Sequence, residues 1–231
     1  MSDSNKVTRR TAVQLGLGAA GVGFVSRGLL ASTPTDADAD CSTPAQAEGP
    51  FYPTRDQPDE DVDLTRLQGR QGRATGDVIR IRGLVMDESY QPVSGALVEI
   101  WQANRHGRYH HEDDPNPAPL DPDFQGWGEV RTDGEGRYAF TTIVPGAYPV
   151  DEDWWRPPHI HFRVARRGFH ELTTQMYFAG HELNEKDHLL REISDEERGR
   201  VVVALAPAGP EDEPGSRVGT FNIVIRRVRK S

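Results

Sequence analysis

From Val78 onward the chain alternates in steps of two. Ile79, Ile81 and Gly83 are separated by Arg80 and Arg82, and Ala96 to Ala103 is a β-rich run. Tyr138-Ala139-Phe140-Thr141 follows the turn residues Asp133-Gly134-Glu135-Gly136. His159 to Val164 and Thr173 to Phe178 come next, and in the last run Phe221, Ile223 and Ile225 share one face. Alternation bounded by Gly, Pro and Asp predicts strands with one buried face. Helical spacing is confined to Glu185 to Leu190 and Asp195 to Ala204. Residues 33 to 76 are rich in Pro, Asp, Gln and Gly, with Glu48-Gly49-Pro50-Phe51-Tyr52-Pro53 as their apolar island, which predicts an irregular arm rather than a domain. The expected architecture is all-β: an antiparallel, prealbumin-like β-sandwich over 77–231, an N-terminal arm over 36–76, and one or two short helices.

Composition narrows the class. The 231 residues include 23 Gly and 17 Pro, and the hydrophobic fraction is 35%, which suits a turn-rich β protein and excludes a coiled coil. No uncharged apolar run is long enough for a membrane span, so no membrane association is expected of the mature form. Cys41 is the single cysteine, so neither an intrachain disulfide nor a cysteine zinc cluster is available.

Residues 1–35 carry Lys6, Arg9, Arg10 and Arg27 against Asp3, so the net charge of −9 becomes −12 over the other 196 residues. An acidic body has no basic stripe to neutralise phosphates, which argues against nucleic acid and for a small-molecule substrate. The basic segment itself has the order of an export signal. Thr8-Arg9-Arg10-Thr11 precedes the glycine-rich apolar stretch Ala12 to Val25 and the small-residue zone Leu29-Leu30-Ala31-Ser32. The paired arginines predict a twin-arginine signal over 1–35 and an exported, periplasmic or extracellular protein.

The candidate chemistry begins at Pro157-Pro158-His159-Ile160-His161-Phe162-Arg163-Val164. In a strand, His159, His161 and Arg163 share one face and Ile160, Phe162 and Val164 the other. Imidazoles two residues apart lie about 6.6 Å apart along a strand and can converge on one metal ion. No acid follows within Phe162 to Arg167, which leaves a cupin-like site without its glutamate. Two tyrosines stand in glycine and proline contexts instead, Tyr109 after Gly107-Arg108 and Tyr148 within Pro145-Gly146-Ala147-Tyr148-Pro149. A phenol with a pKa near ~10 binds zinc or ferrous iron weakly at neutral pH, whereas hard trivalent iron holds it as phenolate. Two phenolates and two imidazoles make a nearly neutral ferric site.

The order of these pieces resembles the intradiol ring-cleavage dioxygenases, most of all their protocatechuate 3,4-dioxygenase branch, from about Thr43 to Arg229. The resemblance is carried by Trp101-Gln102-Ala103-Asn104 with Gly107-Arg108-Tyr109, by Ala118 to Phe124, by Thr132-Asp133 through Tyr138, by Pro145 to Pro149, by Trp155 to Phe162, and by Thr174 to Phe178. It implies Fe(3+) held by Tyr109, Tyr148, His159 and His161, with Tyr148 and His161 axial. It also implies that a catecholic substrate and O2 give a cis,cis-muconate, with Tyr148 leaving the metal as the diol binds. Arg156 would stabilise carbanion character on the ring, and Gln175 would line the oxygen side. The competing expectation for Arg156 is a rim ion pair with Asp151, Glu152 or Asp153. The acidic segment Val150 to Trp154 departs from the family pattern, with Val150 where a pocket aromatic is usual. A chain carrying its own Glu48 to Tyr52 arm predicts a homo-oligomer. The alternative reading is an exported prealbumin-like binding module without catalysis.

Overall fold

The computed structural model describes residues 41–55, 57 and 59–229. The export signal expected over 1–35, and the first five residues of the expected arm, lie outside the described residues.

The long alternating run forms β1 (Val78–Asp87), which organises one five-stranded sheet. Its neighbour on one side is the antiparallel β4 (Arg137–Ile143), with Ile81 opposite Phe140. Along its other side run β11 (Arg217–Thr220) and then β12 (Ile223–Ile225), with β10 (Leu205–Pro207) outermost against β11. The second sheet has the order β3 (Trp127–Arg131), β2 (Leu97–Trp101), β7 (His159–Ala165), β8 (Leu172–Phe178) and β9 (Val202–Val203). A separate two-stranded ribbon joins β5 (Tyr148–Pro149) to β6 (Trp155–Arg156).

The inner faces meet in one apolar cluster. Ile79, Ile81, Val85, Ile223 and Ile225 from the first sheet join Val98, Ile100, Ile160, Phe162 and Met176 from the second. Phe162 stands edge-on to Phe221 at 4.9 Å and to Tyr138 at 6.1 Å, so its ring bridges the two layers. Burying a side chain of this size contributes about 1.5–3 kcal/mol.

Two expectations are corrected. The sheets are mixed rather than purely antiparallel, because β1 runs parallel to β11 and β12, and β8 runs parallel to β9. Alternation reports which face is buried but carries no information on strand direction, and these partners are far apart in the chain. The helices are also shorter than their apolar spacing suggests. Glu182–Glu185 is a single 3-10 turn, followed by α1 (His188–Arg191). The second, α2 (Asp195–Val201), starts at a Ser194/Glu197 capping box. It stops where Val201, Val202 and Val203 accumulate, since β-branched side chains favour the strand that follows.

Residues 41–76 form mostly turns and extended chain that returns to the second sheet and to β12. Thr43 exchanges hydrogen bonds with Val224, its N–H reaching Val224 O at 3.0 Å and its Oγ1 accepting from Val224 N at 2.9 Å. Gln46 N–H donates to Thr173 O at 2.9 Å. The arm thereby reaches the outer face of the second sheet, the face that carries the histidines.

Candidate metal centre and active site

Register across the second sheet decides which side chains share that outer face. His161 lies opposite Trp101 on β2 and Gln175 on β8, and His159 lies opposite Tyr177. Directly opposed residues point the same way. One row therefore reads Trp127, Trp101, His161, Gln175, with His159 and Tyr177 beside it. The face is covered by a second, aromatic cluster of Trp101, Ala103, Tyr109, Trp127 and Tyr148, with Phe51 and Tyr52 packed against it.

The two tyrosines arrive on loops that touch. In the first, Asn104 Oδ1 accepts from the N–H groups of His106 and Arg108, and Asp114 Oδ2 accepts from Tyr109 N–H at 2.7 Å. In the second, Gly146 N–H donates to Asn104 O at 2.9 Å. A Cβ on Gly107 would lie 2.4 Å from Ala147 O, and one on Gly146 would lie 2.4 Å from Gly107 N. Only residues without side chains allow this approach. Tyr148 is then held in the ribbon directly opposite Arg156.

These elements bring Tyr109, Tyr148, His159 and His161 together. The Tyr109 hydroxyl lies 3.3 Å from His159 Nε2 and 3.1 Å from His161 Nε2. The Tyr109 and Tyr148 rings meet edge-on at 5.7 Å and the two imidazoles edge-on at 4.9 Å, while the Tyr148 and His159 rings are tilted by 45° at 5.7 Å. Both histidines and Tyr109 are at most 3% exposed, and Tyr148 is 9% exposed.

The donor set fits a hard cation. His159 Nδ1 is 2.7 Å from Pro157 O, an acceptor only, so this nitrogen carries the proton and the Nε2 lone pair faces the phenols. Burial pushes both imidazoles well below their ordinary value, helped by the Arg156 charge, so they are neutral donors. Burial likewise pushes Tyr109 well above the usual phenol value and raises Tyr148. Such phenols ionise only against a strong positive charge. Among the described residues no three His, Cys, Asp or Glu side chains gather around a metal-sized point, so an ion here would need the phenol oxygens.

Arg156 stands beside this cluster, 4% exposed. Its partner is not the acidic segment. Arg156 Nε donates to Asp187 Oδ1 at 2.8 Å, and Nη2 donates to Gln175 Oε1 at 2.6 Å and to the Tyr177 hydroxyl at 3.3 Å. Burial would lower the guanidinium, but Tyr177, Tyr148 and Asp187 outweigh it and raise it above its ordinary value, so the charge persists. Asp151, Glu152 and Asp153 instead form the exposed turn between β5 and β6, where Asp151 Oδ1 accepts from the N–H groups of Asp153 and Trp154. Val150 is 49% exposed on the same turn.

Asp187 was not singled out from the sequence. It is fully buried, accepts from Trp154 Nε1 at 3.1 Å, and caps α1 through Leu190 N–H. Its one local signal is its place as the N-cap before His188-Leu189-Leu190, which says nothing of Arg156. Tyr177 was likewise missed, although β7–β8 pairing places it opposite His159.

The arm closes the site from above. At Gly49 it passes His161 so closely that an added Cβ would be 3.3 Å from Cε1. Ala47 O accepts from Gln175 Nε2 at 2.8 Å, and Phe51 packs on Tyr109 at 4.8 Å and on His111 at 5.8 Å. The Tyr52 hydroxyl donates to Glu99 at 2.7 Å, and Arg163 stacks over its ring at 4.7 Å. Burial and Glu99 push the Tyr52 phenol up to about 12, so it stays a donor.

Comparison with known proteins adds an independent line. Residues 47–226 match the family model described as "Dioxygenase". The chain is 42% identical over 181 residues to the protocatechuate 3,4-dioxygenase beta chain of Burkholderia cepacia, covering 77% of this chain and 76% of that protein. It is 36% identical over 182 residues to catechol 1,2-dioxygenase 2 of Acinetobacter lwoffii, covering 72% of this chain and 63% of that one. Among solved structures, the dioxygenase domain of a dioxygenase carbohydrate-binding protein fusion from Streptomyces sp. SirexAA-E superposes with a TM-score of 0.60 at 29% identity, over 81% of this chain and 99% of that chain.

Proposed function

Since this chain belongs to the intradiol ring-cleavage dioxygenase family, we propose that it uses iron(III) and O2 to open the ring of a protocatechuate-like catechol, giving a cis,cis-muconate. The observation that carries this reading is the convergence of two neutral imidazole Nε2 atoms on the Tyr109 hydroxyl, with Tyr148 and a buried guanidinium alongside. Tyr109, Tyr148, His159 and His161 would hold the ion. When bound, iron(III) supplies the charge that ionises phenols and drains electron density from a chelated diol.

The remaining work falls to side chains. Pro157 O fixes the His159 tautomer, so that imidazole presents its lone pair without rearrangement. With the ion bound, Tyr148 would be the phenolate that accepts a proton from the incoming diol, since at 9% exposure it is the least buried of the four. Arg156, clamped by Asp187 and Gln175, sets a fixed positive charge where negative charge builds on the ring. Gln175 is held by Ala47 O on one side and by Arg156 on the other, which fixes its amide beside the guanidinium. Gly49, Phe51 and the rest of the arm cover His161 and Tyr109 and limit water there.

Two parts of the proposal rest on the sequence. The twin-arginine pattern in residues 1–35 supports export after folding, and a chain that carries its own Glu48 to Tyr52 arm supports a homo-oligomer rather than a pair of different chains. A binding module without catalysis gives no reason for two imidazoles, two phenols and a charged arginine to be buried together.

Colour and oxygen uptake test the reading. Iron-loaded protein should be red-brown from ferric tyrosinate absorption, and the band should move when a catechol is added without oxygen. Oxygen uptake should follow with at least one of protocatechuate, catechol or hydroxyquinol. Protein that stays colourless and inactive after iron reconstitution would overturn the proposal.

A further inference from the structure

Arg156 is gripped from two sides. Asp187 holds Nε from the side of α1, and Nη2 enters a chain of hydrogen bonds that ends on the arm. Nη2 donates to Gln175 Oε1 at 2.6 Å and to the Tyr177 hydroxyl at 3.3 Å. That hydroxyl donates to Gln175 Oε1 at 3.1 Å and accepts from Gln46 Nε2 at 3.3 Å. Gln46 Oε1 in turn accepts from Gln175 N–H at 3.2 Å, and Ala47 O accepts from Gln175 Nε2 at 2.8 Å. Gln175 and Tyr177 are fully buried and Gln46 is half-buried, so Gln46 is the outermost side chain of the set.

The direction of every proton in this chain is fixed. A guanidinium can only donate and a backbone carbonyl can only accept, so Gln175 turns Oε1 to Arg156 and Nε2 to Ala47. The Tyr177 hydroxyl has one proton, which goes to Gln175 Oε1, and from Gln46 it therefore needs a donor. A reversed Gln46 amide would set its NH2 against Gln175 N–H, donor against donor, and its carbonyl against a hydroxyl whose proton is already committed.

We propose that Gln46 is a positioning residue, which through Tyr177 and Gln175 holds the Arg156 guanidinium in place for the proposed reaction. The use made of that charge rests on the ring-cleavage reading, and the holding itself does not. The arm then acts on the site's chemistry as well as covering it. Bonds in such a buried chain strengthen one another, so the loss of the Gln46 donor is felt at Arg156. Loss of the amide leaves the arm docked, because Thr43 still pairs with Val224, Gln46 N–H with Thr173 O, and Thr174 Oγ1 with Pro44 O at 2.8 Å.

Gln46→Met keeps the length and bulk of the side chain and makes neither bond. In the iron-loaded full chain, assayed with the catechol that gives the fastest oxygen uptake, iron content and the visible band should be kept. The kcat should fall about fivefold and KM should stay within about twofold, the size expected from one lost hydrogen bond. Tyr177→Phe should fall by a similar factor, and the double variant should be no slower than Tyr177→Phe alone, because both act along one chain. In the iron-free chain, exchange of the Arg156 Nε–H with solvent, followed by NMR, should be about fivefold faster in Gln46→Met than in wild type. A side chain that serves packing alone would leave both kcat and exchange unchanged in Gln46→Met. That result, additive losses in the double variant, or loss of iron in step with kcat would each overturn the proposal. If Tyr177→Phe does not fold, Gln46→Met carries the test. Faster exchange in a chain that takes up no oxygen would defeat the ring-cleavage reading and uphold the hold on Arg156.

Discussion

Ile160, Phe162 and Val164 leave β7 on one side and enter the contact between the sheets. His159 and His161 leave it on the other and enter a cluster closed by Tyr109, Tyr148 and the arm. Both sets are buried, at 0% exposure for the aliphatic and phenyl side chains and 2–3% for the imidazoles. The apolar face needs volume and shape, and many side chains supply those. The histidine face needs each nitrogen to meet a named partner, because a buried polar group left alone is costly. One strand thus shows how a fold is made tolerant on one side and exacting on the other.

The largest effect should come from the exacting face. His159→Ala or Tyr109→Phe should cut iron content and oxygen uptake together by at least about 100-fold, with the β-type circular dichroism kept. Iron per chain, measured by atomic absorption, checks this, and full iron with full activity in Tyr109→Phe would refute the ligand assignment. Phe162→Ala tests the tolerant face and should do the reverse. Denaturant melts should show about 3–5 kcal/mol of lost stability, while turnover per folded, iron-loaded molecule stays near wild type.

Asp187→Asn probes the support behind Arg156. Iron should be retained, while kcat falls about tenfold with little change in KM, since the guanidinium keeps its place less well. A matched loss of iron would mean that Asp187 serves only the packing. The smallest effect belongs to neither face. Burial alone would raise the Asp87 carboxyl, but the N–H groups of Gln91 and Ser89 and the Arg227 guanidinium outweigh it and hold it below the ordinary value. Its contribution is therefore full above pH ~4 and is lost as pH falls through the lowered value. Asp87→Asn should cost about 1–2 kcal/mol at neutral pH, and its melts should converge with wild type at the acid end.

Much of the histidine face is legible in the sequence. Alternation in His159 to Val164 separates the two sides, and Gly and Pro around Tyr109 and Tyr148 mark loops free to aim a phenol. What could not be read depends on pairings across the chain. Asp187 meets Arg156 only because α1 begins beside β6, and locally it looks like any helix cap. The acids nearest Arg156 in sequence were the natural candidates, yet a hairpin turn points them to solvent. Parallel pairing of β1 with β11 joins residues such as Ile79 and Arg217, and no local pattern announces it. The arm was visible as an apolar island, but its passage over His161 at Gly49 follows from docking on β8 and β12.

The contact between Gly107 and Gly146 has a consequence for anyone rebuilding this site. With backbone against backbone at that point, the loops that deliver the two phenols form a single bracket, and neither can be lengthened, shortened or stiffened alone. A graft that moves only the tyrosine residues into another sandwich would carry over the donors without their spacing. The transferable part is the pair of loops, glycines included.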